Sequence, residues 1–391
     1  MTTTATDRAL RVVVAGGGIA GLETLIALRG LVGHRVSLTL VAPEEDFTLR
    51  ALEVFEPFGI GHPHRYPLAD VAADLDAAFH RDAVARVLGD QRRVRLASGT
   101  ELPYDALVLA IGAFPYPAFE HGTCFARSHE PDAFTEVLDD LRAGLAERVA
   151  VVVPDGVAWT LPAYELALMI AAYVEPAEVT LVTPEQEPLS AFGPPAAELV
   201  RGELAAAGIE LLEGVHAGVP HPTVVQLARD ARLSCDRIVH LPLLAGPNTP
   251  GMACDDAGFI LVDDSFQARD GGDVFAVGDG AAGPYKQGGL AAQQADVVAE
   301  QIAWRADAEH PPRPYRPVMR ALLRTIHGPR YMRAEPPGGA GSAEVSEQCL
   351  WWPPSKVAAR WLPPWLAARE LGSRPLPPPR HLSSGGISRS I

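Results

Sequence analysis

Paired cysteines are missing from this chain of 391 residues: Cys124, Cys235, Cys254 and Cys349 stand far apart, with no CxxC or CxxxxC spacing. That argues against a sequence-adjacent redox disulfide or a zinc knuckle, and buried structural thiols are the expectation. Basic charge is also scarce. With 33 Lys and Arg against 48 Asp and Glu, the net charge is −15, so nucleic acid and anionic lipid are disfavoured as main partners, since both need a basic footprint. The opening "MTTTATDRAL" has no basic segment followed by an apolar stretch, so no secretory signal is read and a cytoplasmic location is expected. The most apolar window, Val157 to Val174, carries Pro162 and Glu165 and follows directly on a strand-like run. It reads as a core helix with its leading turn rather than a membrane span. His62-Pro-His64 has a spacing that suits a metal, but no carboxylate or thiol cluster completes it; a surface loop, and no metal site, is expected.

What the chain does have is alternation. Short β-branched runs such as "LRVVVAG", "RVSLTLVAP", "RVAVVVP" and "EVTLVTPE" alternate with the Ala/Leu-rich stretches "LETLIALRGL" and "AYELALMIAAYV". That pattern predicts parallel sheets with crossover helices. It occurs twice, over Val12 to Pro43 and Val149 to Glu185, so the expected fold is α/β with two Rossmann-like domains and a small C-terminal region. The expected boundaries are 8–122 and 245–325 for a discontinuous first domain, 123–244 for the second, and 326–372 for the C-terminal region. "EPPGGAGSAEVSEQ" reads as a hinge or loop, and residues 373–391 as a disordered tail.

The strongest motif is "VVVAGGGIAGLETLIAL", where Gly16, Gly18 and Gly21 form GxGxxG between a predicted strand and a helix. Gly16 allows the tight turn, Gly18 lets the backbone approach a pyrophosphate, and Gly21 permits close packing of helix on strand. The helix N-terminus, with Ile19 and Ala20, supplies amide donors and a positive dipole end. The acid expected to bind ribose hydroxyls should end "SLTLVAP", but Ala42 and Pro43 stand there, and Glu44 is the candidate one step later. Two further segments follow the same logic. "ELPYDALVLAIGA" closes on Ala110, Ile111 and Gly112, and "DVFAVGDGAAGPYKQGGLAAQQADVVAEQIA" is a strand ending in Gly278-Asp279, then a loop and a helix.

With these three segments in this order, the chain resembles the flavoproteins with two dinucleotide-binding domains, the pyridine nucleotide-disulfide oxidoreductase superfamily. Within it, the resemblance is to the branch of sulfide:quinone oxidoreductases, flavocytochrome c sulfide dehydrogenases and type II NADH dehydrogenases, over about residues 10 to 325. The resemblance implies FAD as cofactor and carries the family's ribitol-binding Asp onto Asp279. It places Lys286, Gln287 and Gly288, with Gly289, beside the isoalloxazine. An ammonium and a helix N-terminus there stabilise an anionic reduced flavin.

Two features depart from that family. In relatives that use pyridine nucleotides the second unit has its own glycine cradle, whereas here the turn is Pro154-Asp155-Gly156-Val157-Ala158-Trp159. One glycine remains, and Trp159, Pro154 and Pro162 are expected to obstruct a pyrophosphate. In the sulfide-oxidising branch a redox cysteine precedes a segment like "WTLPAYE"; Trp159 takes its place, and the second cysteine would fall near Leu323. Without a thiolate pair, sulfide oxidation by the family mechanism is disfavoured. Tyr164 and Glu165 stay candidates for acid–base work beside a flavin, against a packing role for Tyr164 and a helix-capping role for Glu165.

Trp351, Trp352, Trp361 and Trp365 crowd the C-terminal segment. Core packing and a homodimer interface are its open roles, and the resemblance adds covering of the flavin and peripheral membrane contact at a quinone entrance. The expectation is an FAD-dependent oxidoreductase without a redox disulfide, acting on a small organic molecule or passing electrons to a quinone or oxygen. The alternatives are an NAD(P)H-dependent FAD dehydrogenase and a non-catalytic flavoprotein scaffold.

Overall fold

The valine-rich runs become central strands, because a parallel strand covered on both faces buries every side chain. The computed structural model describes residues 8–370, apart from 61–63, 127–131, 176, 229, 270 and 336–340. Strand Leu10–Ala15 pairs in parallel with Val36–Val41 on one side and Ala106–Leu109 on the other. Ala77–His80 and Val274–Ala276 complete this five-stranded sheet at its edges. Helix Ile19–Val32 packs against helix Gly288–Arg305, so residues from both ends of the chain share one core.

A second five-stranded parallel sheet repeats the plan. Arg148–Val152 lies between Glu178–Val182 and Arg237–His240, with Glu210–Leu212 and Thr123–Cys124 at the edges. The helix after its first strand, Leu161–Tyr173, is buried on nearly all sides, as expected of a helix that is apolar all round. Pro162 lies in its first turn, where the absent N–H has no intrahelical partner to lose.

The third sheet is antiparallel: Met319–Thr325, Gly328–Glu335 and Ser342–Ser346. It corrects two expectations. The segment read as a hinge or loop contains the strand Ser342–Ser346, since Ala343 and Val345 alternate with Glu344 and Ser346 in a short period-two pattern that the Gly/Pro-rich flank concealed. The sheet also begins at Met319, earlier than the boundary of 326. Residues 373–391, read as a tail, and His62 lie outside the described residues, and His64 is exposed.

The C-terminal segment returns to the first domain. The buried Glu23 carboxylate accepts the backbone N–H groups of Arg360, Trp361 and Leu362 at 2.9, 2.8 and 2.6 Å. These are amides at the start of helix Leu362–Glu370 that no helical carbonyl can satisfy. The Trp361 ring lies against Gly30, where a Cβ would collide with it. Trp361 and Trp365 are in the core, Trp351 packs edge-on against Tyr331, and Trp352 is 73% exposed. The cysteines differ from expectation: only Cys235 is buried, the other three being half-buried in loops and short edge strands.

Candidate functional site

The first turn is shaped by backbone contacts that exclude side chains. Gly16 has φ +118°, and a Cβ there would strike the Ala110 carbonyl; a Cβ on Gly21 would strike the Gly16 carbonyl. The turn is fixed by Gly16 N–H donating to Val41 O at 2.8 Å and Ala110 N–H donating to Ala15 O at 2.7 Å. Gly18 is different. A Cβ there meets nothing within 4 Å, and the helix behind it starts without a side-chain cap, so its first amides face an open cradle. That is the arrangement a pyrophosphate requires, and the residues present fit a dinucleotide cofactor.

The other expected segments converge on this cradle. A Cβ on Gly278 would lie 3.3 Å from Ala20, one on Gly288 would press on Ile19 at 2.7 Å, and one on Gly280 would lie 2.8 Å from the Gly112 carbonyl. Asp279 therefore stands in a loop packed against both the Gly16 turn and Gly112. Burial raises its carboxyl pKa, while Lys286 and Arg50 pull it back down. The Lys286 ammonium donates to Ala281 O and lies 3.9 Å from the centroid of the Phe259 ring. Burial lowers its pKa, opposed by Asp279 and Asp255. Glu44 is an exposed residue beyond the end of strand Val36–Val41, with Ala42 buried in between.

Gln287 is held at both ends of its side-chain amide. Its Oε1 accepts Leu290 N–H at 2.8 Å, capping helix Gly288–Arg305, and its Nε2 donates to Arg320 O at 3.0 Å. Both ends of the amide are engaged in structure, so it is not a free partner for a flavin ring.

In the second unit the turn has become a small hollow of about 190 Å³, walled in part by Pro154, Trp159, Glu185, Phe192 and Tyr285. Pro162 is not on its wall. The two candidates that follow, Tyr164 and Glu165, point into different surroundings. Tyr164 is fully buried and its hydroxyl donates to Glu185 Oε2 at 2.7 Å; burial, with the Glu185 charge, pushes the phenol pKa up. Glu165 is neither a cap nor a free base. It lies in the second turn of its helix, buried, with the Lys356 ammonium on its Oε1. Lys356 also donates to Leu322 O at 2.6 Å. Burial raises the Glu165 pKa and lowers that of Lys356, each opposed by the other's charge. This pair stands beside strand Met319–Thr325, next to Leu323, where the resemblance would have put a redox thiol.

Sequence reasoning missed Lys356 as a site residue, and also Glu185, Phe259 and Gln294, whose Oε1 accepts Gly278 N–H at 2.7 Å. One signal was there. Only two of the 33 basic residues are lysines, Lys286 and Lys356, and both are buried, whereas lysine is almost never buried unless paired. Among the described residues no group of His, Cys, Asp and Glu could hold a metal ion, and no helix is long and apolar enough to cross a membrane.

Residues 10–295 match the family described as pyridine nucleotide-disulphide oxidoreductase. A curated relative, the sulfide-quinone reductase of Aquifex aeolicus (strain VF5), is 28% identical over 172 residues, which is 41% of this chain and 39% of that protein. The chain thus aligns with well under half the length of this relative. Among solved structures, the sulfide:quinone oxidoreductase from Aquifex aeolicus superposes with a TM-score of 0.77 at 21% identity, covering 87% of each chain. A putidaredoxin reductase in complex with putidaredoxin gives 0.64 at 20% identity, covering 84% of this chain and 82% of that one. An NAD-dependent persulfide reductase from A. fulgidus gives 0.63 at 19% identity, covering 83% and 64%.

Proposed function

The chain belongs to the pyridine nucleotide-disulphide oxidoreductase family, a family of flavin-dependent enzymes, and from that premise we propose that it is an FAD-dependent oxidoreductase working without a redox disulfide. Its donor is a small organic molecule and its acceptor a quinone or oxygen. When bound, the flavin supplies a two-electron acceptor that can also pass electrons on singly. Gly16, Gly18, Ile19, Ala20 and Gly21 hold the pyrophosphate, Ala110, Gly112 and Gly278 shape the backbone around it, and Asp279 takes the ribitol. Lys286 supplies positive charge close to Asp279. In this reading residues 8–122 and 245–318 form the FAD domain, strand Met319–Thr325 belonging to the C-terminal sheet, and the protein is cytoplasmic.

The observation that carries the reading is the open Gly18 cradle, onto which the Gly278-Asp279 loop and the Gly288 helix start both pack. The exclusion of a disulfide mechanism rests on the Glu165–Lys356 pair beside Leu323 and on Trp159 in the turn. A carboxylate and an ammonium can hold or move a proton, but neither can take up sulfide as a persulfide. The test is to purify the protein, record its visible spectrum and add NADH or NADPH without oxygen. A flavin band that dithionite reduces and pyridine nucleotides leave oxidised is the expected outcome; a protein without flavin overturns the reading.

One observation favours a second reading, an NAD(P)H dehydrogenase. Glu185 follows the second strand of the second unit and lines the turn hollow, near the place where an acid would bind nucleotide ribose. Rapid bleaching by NADH in the same experiment would select it.

A further inference from the structure

The hollow in the second unit has one wall that is acidic and another that is aromatic. Trp159 and Phe192 stand edge to face, with ring centroids 6.0 Å apart and planes at 62°, and Tyr285 and Pro154 close the apolar side. On the polar side, Glu185 receives the Tyr164 hydroxyl on Oε2 at 2.7 Å, with Thr183 Oγ1 at 3.5 Å, and Ser190 Oγ lies 3.5 Å from Oε1. All three are neutral hydroxyl donors. No Lys, Arg or His among the described residues forms a salt bridge with Glu185.

We propose that this hollow binds a small organic cation, an amine or quaternary ammonium, with its charge against Glu185 and its hydrocarbon part against Trp159, Phe192 and Tyr285. The inference rests on the oxidoreductase reading above and names the class of small molecule that reading left open. Three physical arguments select the class. A partly desolvated carboxylate without a cationic neighbour attracts positive charge more strongly than it would in water. Aromatic faces and edges of the Trp, Tyr and Phe type are the surfaces that recognise ammonium groups. A phosphate is disfavoured on both counts, and Pro154 and Pro184 have no N–H to offer it. The volume sets the size: about 190 Å³ is below the roughly 300–1,000 Å³ of sites for drug-sized ligands, so a compact amine fits and a dinucleotide does not.

The test uses the full chain as purified, titrated with choline and with benzylammonium, each beside its uncharged isostere, and read by calorimetry and by tryptophan fluorescence. At least one cation should bind saturably, about tenfold or more tighter than its neutral counterpart. Glu185→Gln should remove that preference, Trp159→Ala should weaken binding of the cation, and Glu187→Gln on the same loop should change neither. Circular dichroism confirms that each variant is folded. Absence of binding by both cations, equal binding of charged and neutral forms, or an unchanged preference in Glu185→Gln each overturns the proposal. So does NADH binding that Glu185→Gln weakens in a protein indifferent to both cations, because the acid would then be a ribose ligand. The flavin spectrum of the same sample scores the oxidoreductase reading separately. A flavin-loaded protein that ignores the cations sinks only this inference.

Discussion

The two strand-turn-helix units differ in their turns and agree one helical turn later. In the first, Gly16, Gly18 and Gly21 leave an open cradle; in the second, Pro154, Trp159 and Glu185 enclose a small hollow. Yet the fifth residue of each helix is a buried glutamate, Glu23 in Ile19–Val32 and Glu165 in Leu161–Tyr173. Both reach the same C-terminal stretch: Glu165 binds the Lys356 ammonium, and Glu23 binds the backbone of Arg360, Trp361 and Leu362. The comparison separates two kinds of constraint. Ligand chemistry is set by a few turn positions, which can change while the sheet and helix remain, because the sheet needs only burial. The buried acids fasten the third part of the chain to both units at equivalent places.

The largest expected effect breaks the equivalence of the turns. Gly18→Trp fills the open cradle and should reduce flavin occupancy of the purified protein by at least about tenfold, and Asp279→Ala should do the same by removing the ribitol acceptor. Ala158→Trp, in the second turn, should leave flavin content unchanged. The ratio of flavin to protein absorbance reads all three, and full occupancy in either of the first two variants would remove that residue from the site.

Next comes the Glu165–Lys356 pair. Removing one member leaves a buried charge without its counter-ion, so Lys356→Met should cost about 3–5 kcal/mol of unfolding free energy. The double variant Glu165→Met, Lys356→Met should recover most of that loss, since a buried ion pair and an apolar pair of similar volume are often equivalent. Urea unfolding of the three proteins measures both numbers. Equal losses in the single and double variants would mean that the segment is held by packing rather than by charge.

The first unit was readable because its requirements are local. Gly16, Gly18 and Gly21 form a short fixed-spacing pattern between one strand and one helix, although only Gly21 answers to a contact inside that turn, Gly16 answering to the distant Ala110 carbonyl and Gly18 to open space, and Gly278-Asp279 marks one strand end. The second turn was readable as a departure from the glycine pattern but not as a hollow, since Phe192 and Tyr285 reach it from distant parts of the chain. Ser342–Ser346 was hidden because a five-residue edge strand gains its stability from its neighbour Gly328–Glu335, a pairing that composition does not encode. Lys356 was not singled out as a partner for Glu165 because helix Leu362–Glu370 could not be docked from the sequence. Its docking depends on Glu23, more than three hundred residues away.

Glu23, which has backbone amides rather than an ammonium on its carboxylate, gives the comparison a pH dependence of its own. Burial pushes the Glu23 carboxyl from 4.5 up to about 7, despite three backbone N–H bonds that favour the anion. Asp296 stands beside it with its Oδ1 shut off from water and unpartnered, and burial and the Glu23 charge raise its pKa as well. Arg360 favours ionisation of both, while Glu300 and Arg313 act on Asp296 in opposite senses. A carboxyl with a raised pKa binds more protons folded than unfolded. Its contribution to stability is therefore full below about 4.5 and is lost as pH rises through about 7. Asp296→Asn removes one of the two charges and should stabilise the protein above pH 7 by about 1–3 kcal/mol, with a much smaller gain at pH 5. Melting temperatures at the two pH values test this, and a gain independent of pH would show that Asp296 is neutral throughout.

The smallest expected effect is a null. If glycines alone made the difference between the turns, the double variant Ala158→Gly, Trp159→Gly would restore a nucleotide cradle, and NADH would begin to bleach the flavin. Three features of the hollow predict otherwise. Pro154 has no N–H to direct at a phosphate, the Glu185 carboxylate lines the space without a cationic partner, and Phe192 and Tyr285 remain on the wall. Enlarging the hollow does not reverse its electrostatics, so the anaerobic rate of flavin reduction by NADH should match that of the unmodified chain. A clear gain in that rate would show that Trp159 alone had blocked the site and that the second unit retains its nucleotide function beneath one substitution. An unchanged rate, with weaker binding of organic cations, would place the change in ligand class in Glu185 and the prolines as well as in the lost glycines.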